Sequence, residues 1–240
     1  MSDIAIASSE ADEIYTEWKN WREDDFGRPT SAEARYFDAE IGSRVAESGR
    51  SALLEIGFGN GSLLGWAKPQ FGSVNGVEQN GLLVERARRA GFEAHDSITA
   101  FPAHPQYDAI VAMDVLEHLT SAEIEGLVKE IALRLKPGGC FIARFPNGDS
   151  PFGRVNQHGD ITHINAIGCM KMSYFAGRAH LALEYIAAPA LVPEGSLKRR
   201  LGQRWERGMR ALFERAVASL YLPHRMSFDM NYVAVLRKPA

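Results

Sequence analysis

Short apolar runs alternate with longer segments of helical periodicity through most of this chain. The runs that predict strands are Leu53–Ile56, Ser73–Glu78, Phe92–His95, Tyr107–Met113, Cys140–Phe145, Leu183–Ala187 and Asn231–Leu236. Several segments between them have the apolar spacing of helices, and Thr120 with Glu123 can form a capping box at the start of one. This alternation predicts an α/β fold, in which a mainly parallel sheet carries helices on both faces.

The first predicted strand ends in a turn with glycine at alternate positions, Gly57, Gly59 and Gly61. Glycine tolerates positive φ and lets a ligand approach the backbone where a Cβ would block it. A strand that enters a helix through such a turn is typical of a cradle for a nucleotide-type ligand. The dinucleotide fingerprint needs a glycine where Ser62 stands, so this spacing argues against a dinucleotide.

Residues 1–50 are predicted to be helical and to cover the core as a cap. Thr30 and Glu33 can form a capping box for a helix that runs through Val45. Two interpretations are open: a layer packed on the sheet, or a lid over the ligand whose substrate-facing side chain is Trp21, Phe26 or Arg28. We divide one predicted domain into 1–50 (cap or lid), 51–187 (ligand-binding core), 188–230 (helical insertion) and 231–240 (last strand).

Composition is ordinary for a globular protein of 240 residues and narrows the function little. The chain is 45% hydrophobic and 24% charged, and its formal net charge of −3 gives no overall case for nucleic-acid binding. The two cysteines, Cys140 and Cys169, form neither a metal-ligand spacing nor a disulfide framework. We find no secretory leader pattern and no apolar run near the roughly 18 residues of a membrane span, so a cytoplasmic location is expected.

Three segments in chain order resemble a known family. Glu55–Gly61 resembles motif I of the class I S-adenosylmethionine-dependent methyltransferases, and Leu135–Gly139 resembles the turn before their fifth strand. Asp114–His118 resembles the branch that includes the quinone-biosynthesis O-methyltransferases. The resemblance implies a Rossmann-like, seven-stranded methyltransferase sheet, mostly parallel with an antiparallel last strand. It also implies S-adenosyl-L-methionine as the cofactor and S-adenosyl-L-homocysteine as the product.

The same resemblance implies which residues meet the cofactor. Glu78, at the end of the second predicted strand, matches the acid that holds the ribose hydroxyls, and Asp96 matches the residue that meets the adenine amino group. Asp96 could also be the N-cap of a short helix over 97–100, and Asp114 could serve either the cofactor or a structural turn. The full predicted set is Glu55, Gly57, Phe58, Gly59, Gly61, Glu78, Gln79, Asp96, Ser97, Met113 and Asp114.

Methyl transfer needs a base only when the nucleophile is a hydroxyl or a protonated nitrogen, because the donor carbon is already activated. The candidates are His118, His158 and His163, with Asp160 as an orienting carboxylate. The last three lie in a long polar segment, 146–165, near where the family places its acceptor. The alternative is that Asp160 and His163 only pin this loop. His158, Asp160 and His163 could ligate a divalent metal. Methyltransferases that use Mg²⁺ favour oxygen-only sites, however, so we predict no metal ligand.

The segments Asn147–Arg154 and Gly159–His163 resemble ones in methyltransferases of bacterial surface-polysaccharide and lipopolysaccharide clusters. This resemblance implies in-line O-methylation of a sugar hydroxyl on a glycan or glycan precursor. The polar side chains that suit such an acceptor are Asp149, Arg154, Asn156 and Gln157. One alternative is a small-molecule O- or N-methyltransferase acting on a phenol or quinone precursor, and another is a non-catalytic cofactor-binding scaffold.

Residues 196–222 form a basic segment of helical periodicity, with seven Lys or Arg against Glu206 and Glu214. One apolar stripe runs along it, comprising Leu197, Leu201, Trp205, Met209, Leu212, Ala216 and Leu220. Three interpretations are open: a peripheral contact with the inner face of a membrane, packing against the sheet or over the substrate, and a dimer contact. We therefore expect a monomer or homodimer that binds a small-molecule or glycan acceptor and no nucleic acid.

Overall fold

The computed structural model describes residues 21–22, 25–46, 49–193, 195–221 and 227–240. The helical pattern predicted before Trp21 lies outside these residues. The described part contains one sheet of seven strands, namely β1 Ala52–Ile56, β2 Ser73–Val77, β3 Glu93–His95, β4 Tyr107–Met113, β5 Leu135–Pro146, β6 Ala182–Ala187 and β7 Asn231–Arg237. Their boundaries agree with the apolar runs in the sequence to within one residue, except that β5 starts five residues earlier than predicted.

The strand order is β3-β2-β1-β4-β5-β7-β6. Strands β1 to β5 pair in parallel, whereas β7 is antiparallel to both of its neighbours, β5 and β6. This confirms the predicted seven-stranded methyltransferase sheet with an antiparallel last strand. Between β1 and β4 the connections leave in opposite directions, which opens a crevice beyond the carboxyl ends of those strands.

Helices occupy the stretches where the sequence has helical periodicity. They are α1 Ser31–Phe37, α2 Ser62–Ala67, α3 Gly81–Arg89, α4 Ser121–Arg134, α5 Arg154–Gly159, α6 Cys169–Arg178 and α7 Leu197–Tyr221. Both predicted capping boxes are present, because Thr30 pairs with Glu33 at α1 and Thr120 pairs with Glu123 at α4. Helix α1 continues into a π-helical turn over Asp38–Gly42, so the cap helix ends near the predicted position.

The two faces of the sheet each bury a separate apolar layer. Leu54 of β1 and Ile110 of β4 belong to a cluster with residues of α4 and α6, whereas Leu53 and Val111 point the other way, into a cluster with α1 and α2. Successive residues of a strand alternate between faces, so a parallel sheet covered on both sides needs apolar residues at every position. The fully buried run of β1 follows from this.

Two predicted stretches differ from the structure. The turn predicted over Lys136–Gly139 lies inside β5, where the register with β4 shifts between Tyr107 and Ala109 and Gly138 takes a φ of 76°. The polar segment 146–165 was expected to lack regular structure, but it contains the short helix α5. Both differences arise from pairing and packing with distant residues, which local spacing does not reveal.

Candidate active site

The glycine turn after β1 requires glycine for two physical reasons. Gly57, Gly59 and Gly61 have φ values of 71°, 50° and 73°, which side chains rarely tolerate. A Cβ on Gly59 would lie 2.6 Å from the Trp21 ring, and one on Gly61 would lie 2.7 Å from the Phe26 ring. The turn is therefore closed from one side by two aromatic residues of the N-terminal cap.

A cavity of about 1020 Å³ opens beyond the carboxyl ends of β1, β2 and β4. Every predicted cofactor residue except Gly61 lines it, namely Glu55, Gly57, Phe58, Gly59, Glu78, Gln79, Asp96, Ser97, Met113 and Asp114. Gly61 instead starts α2 as its left-handed N-cap. Of the three lid candidates, Trp21 lines the cavity, Phe26 packs against the Phe58 ring, and Arg28 is exposed.

Glu78 joins the glycine turn to the start of the next helix. One carboxylate oxygen, Oε2, accepts the Gly59 N–H at 3.1 Å, and the other, Oε1, accepts the Asn80 N–H at 3.1 Å. Each carboxylate oxygen has two acceptor positions, so both can still receive a ligand hydroxyl. The carboxylate is thus fixed in orientation at the cavity wall before any ligand arrives.

Glu55 is a buried carboxyl in the middle of β1, beside the cavity. Its Oε2 atom has no hydrogen-bond partner. Burial raises the pKa of Glu55 well above its usual value, and the nearby Glu78 charge raises it further. Burial therefore favours the protonated form of Glu55, at the floor of the cavity.

One of the two roles predicted for Asp96, the N-cap of a short helix, belongs to its neighbour Ser97. The N-cap of the 3₁₀ turn Ile98–Ala100 is Ser97, whose hydroxyl accepts the Thr99 N–H at 3.3 Å. The interpretation of Asp96 as that cap is therefore wrong. Asp96 lines the cavity.

Asp114 follows β4 in the left-handed region, with a φ of 57°. Its Oδ1 accepts from Nε of Arg144 at 2.9 Å, and its Oδ2 accepts from Nη2 of the same guanidinium. Burial lowers the pKa of Arg144, but the bond with Asp114 outweighs it and the pKa is raised overall. Because one guanidinium engages both oxygens, Asp114 serves as a structural anchor at the cavity edge, and its role toward the cofactor stays a prediction.

Two of the three predicted histidines meet on the far wall of the cavity. The rings of His118 and His163 are 4.7 Å apart between centroids, in an edge-to-face arrangement. His118 follows β4, whereas His163 comes from the segment after β5, so the two strand ends bring them together. The structure does not bring His158 into this group, because it lies on the exposed side of α5 and does not line the cavity.

Backbone and hydroxyl partners determine which nitrogen of each neutral ring carries the hydrogen. Nδ1 of His163 lies 3.0 Å from the carbonyl oxygen of Asn156, which can only accept, so Nδ1 carries the hydrogen. Nδ1 of His118 lies 2.9 Å from Oγ1 of Thr162, and that hydroxyl donates to Asp160 at 2.5 Å. Nδ1 of His118 is therefore also the donor, and each neutral ring keeps its lone pair on Nε2.

Asp160 orients this arrangement through Thr162. Its Oδ1 accepts both the backbone N–H and the hydroxyl of Thr162, at 2.9 and 2.5 Å. Of the other polar residues proposed for the acceptor, only Asn156 lines the cavity. Asp149 instead accepts the Cys169 N–H at 2.7 Å at the start of α6, and so the prediction that it meets the acceptor is not supported by its position.

Glu117 is the site residue that sequence reasoning missed. It is only 1% exposed, lines the cavity, and its Oε1 lies 3.8 Å from Nε2 of His163. Burial raises the pKa of Glu117 to about 8, with the charge of Asp114 contributing in the same direction. Its Oε2 has no hydrogen-bond partner. Glu117 lies in Asp114–His118, one of the segments that resemble the family, but only the neighbouring His118 was chosen as a candidate.

Glu117, His118 and His163 offer three ligand atoms within 4.8 Å of one another. A carboxylate and two imidazoles are suitable ligands for several divalent cations. The metal-ligand set considered from the sequence was different: His163 is common to both sets, but Glu117 and His118 take the places of His158 and Asp160. The prediction of no metal ligand stays untested.

Replacing Glu117 by glutamine is expected to flatten the fall of stability with pH. The folded protein keeps the Glu117 proton up to about pH 8, whereas the unfolded chain loses it near its ordinary pKa of about 4.3. The contribution of Glu117 to the free energy of unfolding is therefore fully present below its pKa in the unfolded chain. It is lost by about 1.4 kcal/mol per pH unit as the pH rises toward its pKa in the folded protein. At pH 7 the glutamine variant should recover roughly 3 kcal/mol relative to wild type.

Urea unfolding of both proteins at intervals from about pH 5 to pH 8 measures this difference. Glu55 contributes a slope of the same sign in both proteins, so only the difference between them reports on Glu117. Glu85→Gln on α3 is the matched control, because that side chain is exposed. Parallel curves for wild type and Glu117→Gln would show that the buried carboxyl is already ionised.

Comparison with known proteins gives one family model and many solved structures. Residues 54–143 match a model described as a methyltransferase domain. A search of the curated proteins gave no match. An S-adenosylmethionine-dependent methyltransferase from Archaeoglobus fulgidus is 15% identical, with a TM-score of 0.61 over 94% of this chain and 99% of that one.

Two further structures show how widely this fold is used. A putative sarcosine dimethylglycine methyltransferase from Galdieria sulphuraria is 15% identical, with a TM-score of 0.60 over 96% of this chain and 98% of that one. The cyclase SpnF is 18% identical, with a TM-score of 0.61 over 99% and 98% of the two chains. At such identities the likeness concerns the fold. The chain has the fold of these S-adenosylmethionine-dependent methyltransferases, and its residues 54–143 match the model of a methyltransferase domain.

Proposed function

We propose that this protein transfers a methyl group from S-adenosylmethionine to a hydroxyl of a sugar, on a glycan or glycan precursor. The observation that carries the proposal is His163, whose Nδ1 donates to the Asn156 carbonyl so that the lone pair on Nε2 is left on the cavity wall. A hydroxyl nucleophile needs a base within reach, and a neutral imidazole of fixed orientation is suited to that task.

The cofactor half of the cavity fits the proposed donor. Gly57 and Gly59 leave the backbone open for the amino-acid part, Glu78 offers two acceptor oxygens to ribose hydroxyls, and Asp96 lines the cavity as the proposed partner of the adenine amino group. Glu55, whose pKa is raised by burial and whose Oε2 has no partner, lies beneath the turn and leaves one polar atom for the ligand. When bound, S-adenosylmethionine supplies a methyl carbon already activated by its sulfonium, so the protein's main contribution is alignment.

His163 and Glu117 would handle the proton of the acceptor hydroxyl together. The bound cofactor would supply the methyl group, and Nε2 of His163 would take the proton that the acceptor hydroxyl gives up. The ring is then positively charged, 3.8 Å from Oε1 of Glu117. Glu117 begins protonated and would release its proton to solvent as the ring becomes charged, so that its carboxylate stabilises that charge; transfer of the His163 proton to Glu117 would then return both groups to their starting state.

The polar character of the far wall favours a sugar over a phenol. Nδ2 of Asn156 donates to Oδ1 of Asn231 at 2.9 Å, and both residues line the cavity with Asp160 and Thr162. Sugars are recognised through dense polar contacts, whereas a phenol or quinone precursor is expected to meet mainly apolar side chains. Apolar residues, among them Pro146 and the exposed Val155, also line the cavity.

A screen of acceptors with methyl-labelled cofactor tests the proposal. We expect label transfer to sugars and lipid-linked sugars, and little transfer to phenols or amines. Transfer only to phenols or only to amines would replace the sugar by a small-molecule acceptor, and absent cofactor binding in calorimetry would favour a scaffold. A parallel arm with an exhaustive chelator examines Glu117, His118 and His163, because lost activity that Mn²⁺ or Zn²⁺ restores would assign them to a cation.

A further inference from the structure

Helix α7 is amphipathic, but it turns its less apolar side toward the protein. Ala218 is the one buried side chain of the helix. On the same side, Oε1 of Glu214 accepts the Phe228 N–H at 2.6 Å, and Nη2 of Arg207 donates to the Pro189 carbonyl at 2.6 Å. The attachment of α7 to the described residues therefore relies on polar contacts and on small side chains.

The apolar stripe of α7 faces away from the protein. Its large side chains are all exposed, namely Leu197, Leu201, Trp205, Met209, Leu212, Phe213 and Leu220, and Trp205 is 68% exposed. A helix of 25 residues is about 37 Å long, so the stripe is far larger than scattered surface residues would produce. Packing of this stripe against the sheet, one of the three interpretations above, is not what the structure has. A large apolar face rimmed by charge is typical of a surface that contacts a membrane or another protein.

The charges on α7 favour an anionic partner. The helix carries seven Lys or Arg, and of its two acids Glu214 is engaged with the backbone of the protein. At 100° per residue, Arg199 and Arg210 lie along one edge of the apolar stripe, whereas Arg204 and Arg215 lie along the other. Since the whole chain has a net charge of −3, this positive charge is a local property of the helix.

We propose that α7 lies on the surface of an anionic lipid bilayer, with its apolar stripe in the boundary between headgroups and acyl chains. A helix with apolar and aromatic residues on one face and arginines along both edges has the pattern of such interfacial helices. A second copy of this chain is a poorer partner, because a two-fold contact through this face would bring the same arginine rows together. The helix lies on the surface and does not cross it, since none of the helices in the described residues is both long and apolar enough to span a bilayer.

The apolar surface continues from α7 toward the cavity through three aromatic rings. The Phe213 and Phe228 centroids are 6.1 Å apart, and the Phe228 and Phe152 centroids are 6.4 Å apart. Phe152 is exposed, and three residues further along the chain the exposed Val155 lines the cavity. Docking of α7 would therefore hold this rim of the cavity close to the lipid surface. This inference concerns binding and does not depend on the acceptor proposed above.

Flotation of the full chain with lipid vesicles tests the docking without any assay of activity. We expect binding to phosphatidylcholine vesicles that contain phosphatidylglycerol, weak binding to phosphatidylcholine alone, and release at high salt. The combined variant Arg199→Gln, Arg204→Gln and Arg215→Gln should lose about 100-fold in affinity, since each cation near an anionic surface contributes roughly fivefold. The combined variant Leu201→Gln, Trp205→Gln and Leu212→Gln should lose binding to a comparable extent.

Leu133→Gln is the matched control, because it also replaces an exposed leucine on a helix but lies on α4. Its flotation should equal that of wild type, and thermal melts should show that all variants remain folded. The proposal is overturned if wild type floats with neither vesicle, or equally with both. It is also overturned if light scattering finds a dimer that the leucine–tryptophan variant dissociates, since the stripe would then be an interface between copies of this chain.

Discussion

Glu78→Ala is expected to weaken S-adenosylmethionine binding by about 100-fold or more while the protein stays folded. The carboxylate is the acceptor proposed for two ribose hydroxyls, and a hydrogen bond to a charged group contributes about 1.5–3 kcal/mol. The same substitution frees the Gly59 and Asn80 N–H groups that Glu78 now holds, so the glycine turn also loses a brace. Titration calorimetry measures the affinity, and a thermal melt without cofactor measures folding.

Two further variants separate charge from packing at this position. Glu78→Gln keeps one acceptor oxygen and the shape of the side chain, so its affinity should fall between wild type and Glu78→Ala. Glu85→Ala removes an exposed acid from the following helix and should bind the cofactor as wild type does. Undiminished affinity in Glu78→Ala would refute the ribose assignment, and with it the strongest part of the cofactor site.

The second large effect is expected for His163→Ala, which should lower kcat by about 10²–10⁴-fold. If Nε2 of His163 takes the acceptor proton, its removal affects the chemical step, and the cofactor Kd should stay within about twofold. The residue stands on the far wall, apart from Glu78 and the glycine turn. Single-turnover rates with the acceptor found in the screen measure the step directly.

His163 also donates to the Asn156 carbonyl, so a structural effect has to be separated from a chemical one. His163→Gln can keep a hydrogen bond from its amide, yet it cannot accept a proton at neutral pH, and it should be as slow as His163→Ala. His158→Ala is the matched control, because that histidine lies on the exposed side of α5 in the same segment. Recovery of activity in His163→Gln would reduce His163 to a residue that positions the loop.

The cofactor half of the cavity could be predicted because its residues follow one another at fixed places along the chain. A buried strand, a turn with glycine at positive φ and a helix start are local patterns, and Gly57 and Glu78 lie directly after strands. Parallel strands then bring their carboxyl ends to one edge of the sheet. The strand boundaries were predicted for the same reason, since the core of a parallel sheet leaves a nearly continuous apolar run.

The contacts between residues of the proposed acceptor half could not be predicted, because they join residues far apart in sequence. Glu117 meets His163, Asp114 meets Arg144, and Asn156 meets Asn231. The raised pKa of Glu117 comes from burial, which no local pattern at that position reveals. Within 146–165 the spacing of polar residues gave no means to tell that α5 would direct His158 outward.

The direction of α7 was likewise beyond local reasoning. Its periodicity defines an apolar stripe, and the ordinary expectation is that such a stripe faces the core. The sequence left packing, dimer contact and membrane contact open, and the choice depends on which face the surrounding chain engages. Glu214 and Ala218 supply that information only once their partners are known.

The closure of the glycine turn by Trp21 and Phe26 has a consequence for what counts as the working unit of this protein. The stretch detected by the family model, 54–143, contains the turn, Glu78, Asp96 and Glu117. It lacks the aromatic wall on one side of the turn, and it ends before His163 and Asn231. A segment that suffices for classification is therefore too short to enclose the cavity, and transplanting it alone into another protein would carry over a donor cradle without its cover and without an acceptor side.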